Sequence, residues 1–420
     1  MWAAWGILIF HLSAFEHSLT NMRRSSIARQ GRTTLSLLFL VPYATFVAIK
    51  SCNAEQLVIC VVVGVIYGAA IQSNLAMKTF SMIAKMFPKP SSTPIRSQIL
   101  DLCVSISSYD NNVQQIIDRK KRLFFMLNKE QQNNCVQTYR RLLENHELQK
   151  KNSEFLELIK DSAVEQFDIG KLELMGKDQN TSVRAANEII EHLVRDWSQD
   201  EKARKELFEP ILKHCKNKKR VLVPGCGLGK LAYEVAALEG VENVDAIEFN
   251  APMYFVANNR QLLQVLDKST LYPNLFKFSN WRNGADQLEG VTLDLSAALT
   301  PKPDAGQVEV VYQDFLKMKT ENYYDCLASL FFIDTAQNIF EYIDQIRRQL
   351  KKGGVWVNYG PLQYGTAAYA ELSADELFEY IESSGWKIVE RWTGTNRYNG
   401  SEKSMLHTAY GIIGFACIKE

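Results

Sequence analysis

The sequence predicts a doubly wound α/β fold on a mostly parallel seven-stranded sheet, preceded by a helical region. Three observations lead there. Val221 to Gly229, VLVPGCGLG, reads as a buried strand entering a glycine turn that opens a helix. Beyond it strands and helices alternate, the pattern of parallel strands joined by crossover helices. The last two strands follow one another with no helix between them, so a closing hairpin turns the final strand antiparallel.

Residues 1–90 form an apolar extension set apart from all that follows. Leu35 to Ile49 and Leu57 to Ile71 are apolar runs of fifteen residues each. Spanning a bilayer takes roughly 20 apolar residues, so a membrane hairpin and a buried helical hairpin both stay open. Arg23, Arg24, Arg29 and Arg32 before the runs, with Lys78 and Lys85 after them, would keep both ends on the cytoplasmic side. Membrane contact is therefore expected, if anywhere, through residues 34–72. A cleaved signal peptide fits poorly, because Trp2 to Phe10 lacks a charged start.

Phe87 to Pro94, with three prolines, reads as a linker. The region 91–198 after it is helical and strongly polar: Leu123, Phe124 and Leu127, then Leu142, Leu143 and Leu148, recur at helical spacing. Val183 to Trp197 and Glu201 to His214 are two further helices. The third region, 199–420, carries the sheet. Its strands are expected at Val221–Val223, Val244–Phe249, Val308–Tyr312, Cys326–Phe332, Val355–Tyr359, Trp386–Trp392 and Gly411–Lys419. Helices are expected at Leu231–Leu238, Pro252–Leu266, Asn338–Leu350 and Ala374–Ser383, with 267–304 poorly regular. Lys351-Lys352-Gly353-Gly354 is expected to close the helix before it.

Charge and cysteine content narrow the function classes. Forty-eight basic residues against 47 acidic leave a net charge of +1 and no basic footprint, so nucleic acid is not an expected partner. Eight scattered cysteines include no C-x-x-C pair, so neither a zinc site nor a disulfide framework is expected, and a reducing compartment suits them. Cys226 needs no more than its small size to explain its place in the glycine turn.

The turn's spacing discriminates between ligands. A dinucleotide fingerprint would put its third glycine at position 230, which is Lys230; here it comes one residue early, at Gly229. Glu248 ends the second strand about twenty residues later, where a carboxylate can accept two ribose hydroxyls. Glycine turn plus strand-end acid points to an adenosyl ligand.

These residues resemble a class I S-adenosylmethionine-dependent methyltransferase with a Rossmann-like sheet, and within it the carnosine N-methyltransferase family. The segments that carry the likeness are VRDWS (194–198), VPGCGLGKLAYE (223–234), FSNWR beside ADQL (278–288) and FFIDTAQNIFEYID (331–344), continuing through GGVWVNYGPLQY (353–364). The resemblance covers roughly residue 100 to the end. It implies that S-adenosylmethionine is the cofactor and a small histidyl dipeptide the substrate, carnosine giving anserine. It also implies a cytoplasmic and nuclear setting for the catalytic region, with a homodimer left open.

Carried over by position, the resemblance gives Arg195 the cofactor's methionine carboxylate. Gly225, Gly227 and Gly229 would line its methionine and ribose, Glu248 would take the ribose hydroxyls, and Asp314 with Phe315 would contact adenine. His192 stands where the family has glutamine and Leu330 where it has cysteine, both at cofactor positions. Asp334 would face the acceptor imidazole as catalytic residue, with Tyr364 and Tyr410 beside the substrate. Asp334 also sits where it would cap the next helix, and Arg195 where it would pair with Glu191. The family's LLYH is LQYG here, so Gly365 replaces a histidine expected to contact the dipeptide, and a tyrosine-rich run becomes His407-Thr408-Ala409-Tyr410. A membrane-tethered, non-catalytic interaction protein and a protein-histidine methyltransferase are the alternatives; the dehydrogenase reading is disfavoured by Lys230.

Overall fold

The computed structural model describes residues 94–176, 183–199, 202–396, 401–407 and 409–420. The expected hairpin at 34–72, most of the linker and Thr408 lie outside these. Among the described residues no helix is long and apolar enough to cross a membrane.

Helix α1 (Pro94–Ser107) opens on the linker's last proline, which tolerates the first helical position because its missing N–H would be unpaired there anyway. α2 (Tyr109–Phe125) and the long α3 (Val136–Gln166) follow. α4 (Arg184–Trp197) buries Ala186, Ile189, Ile190, Leu193 and Trp197, one apolar stripe at helical spacing. α5 (Lys202–Cys215) then leads to the sheet. The helical region shares a core with the helices that follow the second strand: Ile99, Leu102, Leu156, Ile159 and Leu193 pack with Phe255, Val256 and Leu263. α3 is also held by polar contacts, with Asn145 Nδ2 donating to the Leu275 carbonyl at 2.8 Å and Asn152 Nδ2 to that of Tyr272 at 3.0 Å.

The sheet strands are β1 (Arg220–Pro224), β2 (Asn243–Glu248), β3 (Gln307–Tyr312), β4 (Tyr324–Leu330), β5 (Leu350–Gly360), β6 (Trp386–Asn396) and β7 (Tyr410–Lys419). Their order across the sheet is β3-β2-β1-β4-β5-β7-β6. The first five are parallel, and β7 is antiparallel to both neighbours, as the missing helix predicts. Strand order reverses between β1 and β4, and ligands in open α/β sheets bind at such a switch, outside the strands' carboxyl ends. Crossovers are α6 (Lys230–Ala236) after β1, α7 (Ala251–Asn258) and α8 (Arg260–Leu266) after β2, α9 (Ile339–Gln349) after β4 and α10 (Ala374–Ser383) after β5.

Four local expectations are corrected. β4 stops at Leu330 rather than Phe332, because Phe331 turns to φ +50° and takes the chain off the sheet. The helix expected over 252–266 is two, broken at Asn259, whose side chain accepts the Leu262 N–H at 2.9 Å and starts the second. Lys351 to Gly354 do not close a helix: α9 ends at Gln349, Leu350 is already extended, and Gly353 at φ +76° sits in a bulge entering β5. The 267–304 stretch is more regular than expected, with a small hairpin pairing Thr270–Leu271 with Val291–Thr292 and short helices at Gly284–Leu288 and Ser296–Leu299.

Candidate active site

The site begins where β1 ends. Val221, Leu222 and Val223 are buried at the centre of the sheet, and the chain leaves them through Gly225 (φ +60°), Gly227 (φ +55°) and Gly229 (φ +83°). Gly225 is required by space as well as by backbone, whereas at Gly227 a Cβ would make only ordinary contacts. A Cβ on Gly225 would lie 2.6 Å from Cδ2 of Phe332; one on Gly227 would enter the space 3.6 Å from Arg195 Nη2 and 3.9 Å from Asp196 Oδ2. Gly229 is the left-handed residue from which α6 starts. Lys230, where a dinucleotide motif needs glycine, is buried with its ammonium 2.9 Å from Glu234 and over the Trp197 ring.

Glu248 fastens the turn from the neighbouring strand. Its Oε2 accepts the Gly227 N–H at 2.8 Å, and its Oε1 accepts those of Phe249 at 2.8 Å and Asn250 at 2.7 Å. Burial pushes its carboxyl above the usual range, and those N–H groups oppose the shift. A carboxylate offers about four acceptor positions, so one remains for a ligand.

A hollow opens above the turn, lined by Arg195, Asp196, Gly225, Cys226, Leu330 and Phe331 among others. Arg195 grips its own neighbour Asp196 through Nε–Oδ1 at 2.5 Å and Nη2–Oδ2 at 2.8 Å. One turn back on α4, His192 is pushed down to about 4 by burial and then by the Arg195 charge, so it is neutral at pH 7. Burial drives the Cys226 thiol well up, which leaves no thiolate for nucleophilic chemistry.

The other predicted residues do not line this hollow. Asp314 lies two residues past β3 and caps the short turn Phe315–Lys317, its Oδ1 accepting the Leu316 N–H at 3.1 Å and its Oδ2 pairing with Lys317 at 3.0 Å. Phe315 turns its ring into the core, edge-on to Phe332 and Tyr342, so only its main chain is left for a ligand. Asp334 follows Phe332 in a short turn, is 7% exposed, and accepts the Gln363 N–H on Oδ2 at 3.1 Å. It does not cap α9; Asn338 does, accepting the Phe340 N–H at 3.2 Å. Burial pushes Asp334 up to about 6. Tyr364 lies close enough to feel that charge, and burial foremost pushes its hydroxyl up to about 12. Tyr410, opening β7, stands edge-on to Phe331 at 6.1 Å. Gly365 is exposed, and an added Cβ there would meet nothing within 4 Å.

The turn, Glu248 and the Arg195 guanidinium thus face one strand switch. They suit a ligand with hydroxyls at one end and a charged group at the other: the glycines leave room, Glu248 accepts, and Arg195 donates. Among the described residues no cluster could hold a metal ion. Residues the sequence did not single out are Asp196, Phe331 and Phe332. Asp196 stood inside the VRDWS segment; the two phenylalanines were assigned to a strand, where their turn was invisible.

The family model described as carnosine N-methyltransferase matches residues 173–420. The chain is 31% identical over 342 residues to the carnosine N-methyltransferase of Mus musculus, covering 74% of this chain and 83% of that protein. It is 35% identical over 248 residues to the one of Dictyostelium discoideum, covering 54% and 53%. To that of Schizosaccharomyces pombe it is 27% identical over 305 residues, covering 64% and 80%. With the glycine turn and the strand-end glutamate beside those matches, this chain belongs to the carnosine N-methyltransferase family.

Proposed function

We propose that the chain transfers the methyl group of S-adenosylmethionine to an imidazole nitrogen of carnosine, giving anserine. The observation that carries this reading is the convergence of the Gly225–Gly229 turn, the Glu248 carboxylate and the Arg195 guanidinium on one switch point, in a chain of this family. When bound, S-adenosylmethionine supplies an electrophilic methyl group on a sulfonium. Glu248 takes a ribose hydroxyl and Arg195 the amino-acid carboxylate, a role suited to a guanidinium fork. Leu330 and Phe331 exclude water from the hollow. Alignment of this kind supplies on the order of 7–11 kcal/mol of a barrier. Asp334 accepts the N–H of the acceptor's second ring nitrogen, which fixes the tautomer and steadies the positive charge that appears on methylation.

The test is methyl transfer from labelled cofactor to carnosine, anserine, free histidine and a protein extract in parallel. Label in carnosine supports the reading; label in protein alone gives the chain to a protein-histidine methyltransferase, and no transfer to the non-catalytic alternative.

Two further results are expected. Asp334 must be ionised to steady the positive charge on the ring, and it is ionised above about 6; the acceptor imidazole must be neutral, above its own pKa of about 6.5. Both requirements fail as pH falls, so log kcat/KM should drop with a slope approaching about two below both values and level off toward pH 8. A slope that never exceeds one would remove Asp334 from the reaction. Gly365→His should fold as the parent does, since the site is open, and should lower KM for carnosine several-fold; an unchanged KM would mean that no imidazole is needed there.

A further inference from the structure

We propose that Asp196 is a cofactor-binding residue, and that the Arg195–Asp196 ion pair is a receptor for a zwitterion in which Asp196 takes the α-ammonium of the cofactor's amino-acid end. The inference rests on the S-adenosylmethionine reading above and extends it to a residue that the resemblance does not assign.

Adjacent residues on a helix point in different directions and do not ordinarily meet. At the last turn of α4 they do: the Arg195 guanidinium folds back onto the Asp196 carboxylate through two hydrogen bonds, at 2.5 and 2.8 Å. Asp196 is only 6% exposed, yet it lines the hollow together with Arg195 and Gly225. Both charged groups stand over the open side of Gly227, Nη2 at 3.6 Å and Oδ2 at 3.9 Å from where a Cβ would be. The hollow therefore presents a cation and an anion side by side, fixed by each other.

That charge pattern selects the ligand end. A pyrophosphate would meet Asp196 as a like charge in a poorly solvated place. A free α-amino acid group carries a carboxylate and an ammonium on one carbon and matches the pair in sign at both positions. The two guanidinium bonds leave about two of the acceptor positions of Asp196 for an ammonium. Lys230, the other cation at the hollow, is already paired with Glu234 and does not compete for the carboxylate.

The test is calorimetry on the full chain with three probes: S-adenosylhomocysteine, its analogue lacking only the α-amino group, and 5′-methylthioadenosine, which has no amino-acid end. Wild type should bind the deaminated analogue about 10- to 100-fold more weakly than S-adenosylhomocysteine, the range of one charge-assisted hydrogen bond in a buried site. Asp196→Asn should lose a similar factor for S-adenosylhomocysteine and less than about twofold for 5′-methylthioadenosine. Equal losses for both probes would make Asp196 a structural prop, and equal affinity of wild type for the intact and deaminated probes would overturn the proposal even if the variant fails to fold. If wild type binds none of the three, the cofactor reading fails and this inference with it, a pattern distinct from the other two.

Discussion

Asp334→Asn is expected to lower kcat with carnosine by about 100- to 1,000-fold, the range seen when one preorganised electrostatic contact to a developing charge is removed. The affinity for S-adenosylhomocysteine should stay within about twofold. Asparagine keeps the size of the side chain and an oxygen for the Gln363 N–H, the 3.1 Å bond that ties the FFIDTA segment to GPLQY. What it removes is the negative charge proposed to face the imidazole. Stability should hold or rise, because a carboxylate pushed up to about 6 by burial is one the fold accommodates at some expense of free energy. Steady-state kinetics, calorimetry and a thermal melt on the same preparation check the three parts. Turnover at the parental rate would take Asp334 out of the mechanism, and a loss confined to cofactor affinity would move it to the other half of the site.

Gly225→Ala is expected to abolish measurable methyl transfer and to destabilise the fold by about 2–5 kcal/mol. An L residue in the left-handed region costs about 1–2 kcal/mol, and Gly225 is at φ +60°. The new methyl would also arrive 2.6 Å from the Phe332 ring, and overpacking of this kind costs about 1–3 kcal/mol. Phe332 cannot simply step aside, since it stacks on Tyr342 at 4.9 Å and meets Phe315 edge-on at 5.3 Å. Because Asp334 lies two residues beyond it, displacing that ring should disturb the proposed acceptor side as well as the glycine turn. Denaturant unfolding and the labelled-methyl assay check both effects; a variant with parental stability and rate would mean that the turn relaxes without consequence.

Much of the fold was legible because its signals are local and repeated. Buried β-branched runs and glycines at fixed spacing declare themselves without reference to the rest of the chain. The reversal of β7 followed from connectivity alone. What stayed hidden depends on contacts between distant residues. Phenylalanine gives no sign that position 331 will adopt φ +50°; that turn exists because the chain must leave the sheet there, and it is what carries Phe332 under Gly225. Lys351 to Gly354 have the composition of a helix end, yet a strand already starts at Leu350. The same holds in the site. Glycine turn and strand-end acid could be read from their spacing, whereas nothing in the order Arg195-Asp196 tells that α4 sets both against the hollow.

The position of β7 bears on how the chain assembles as it is made. β6 leaves the ribosome before β7, yet it meets the sheet only through β7, whose other edge pairs with β5 from Val355–Ile418 to Gly360–Ile413. Until β7 is complete, β5 presents a bare edge and β6 has no place to go. An exposed apolar edge is a template for wrong pairing, and late long-range pairing prolongs that exposure. The nascent enzyme should thus be most prone to aggregate in the interval between synthesis of β5 and synthesis of β7, when two strands enter the sheet together as one hairpin.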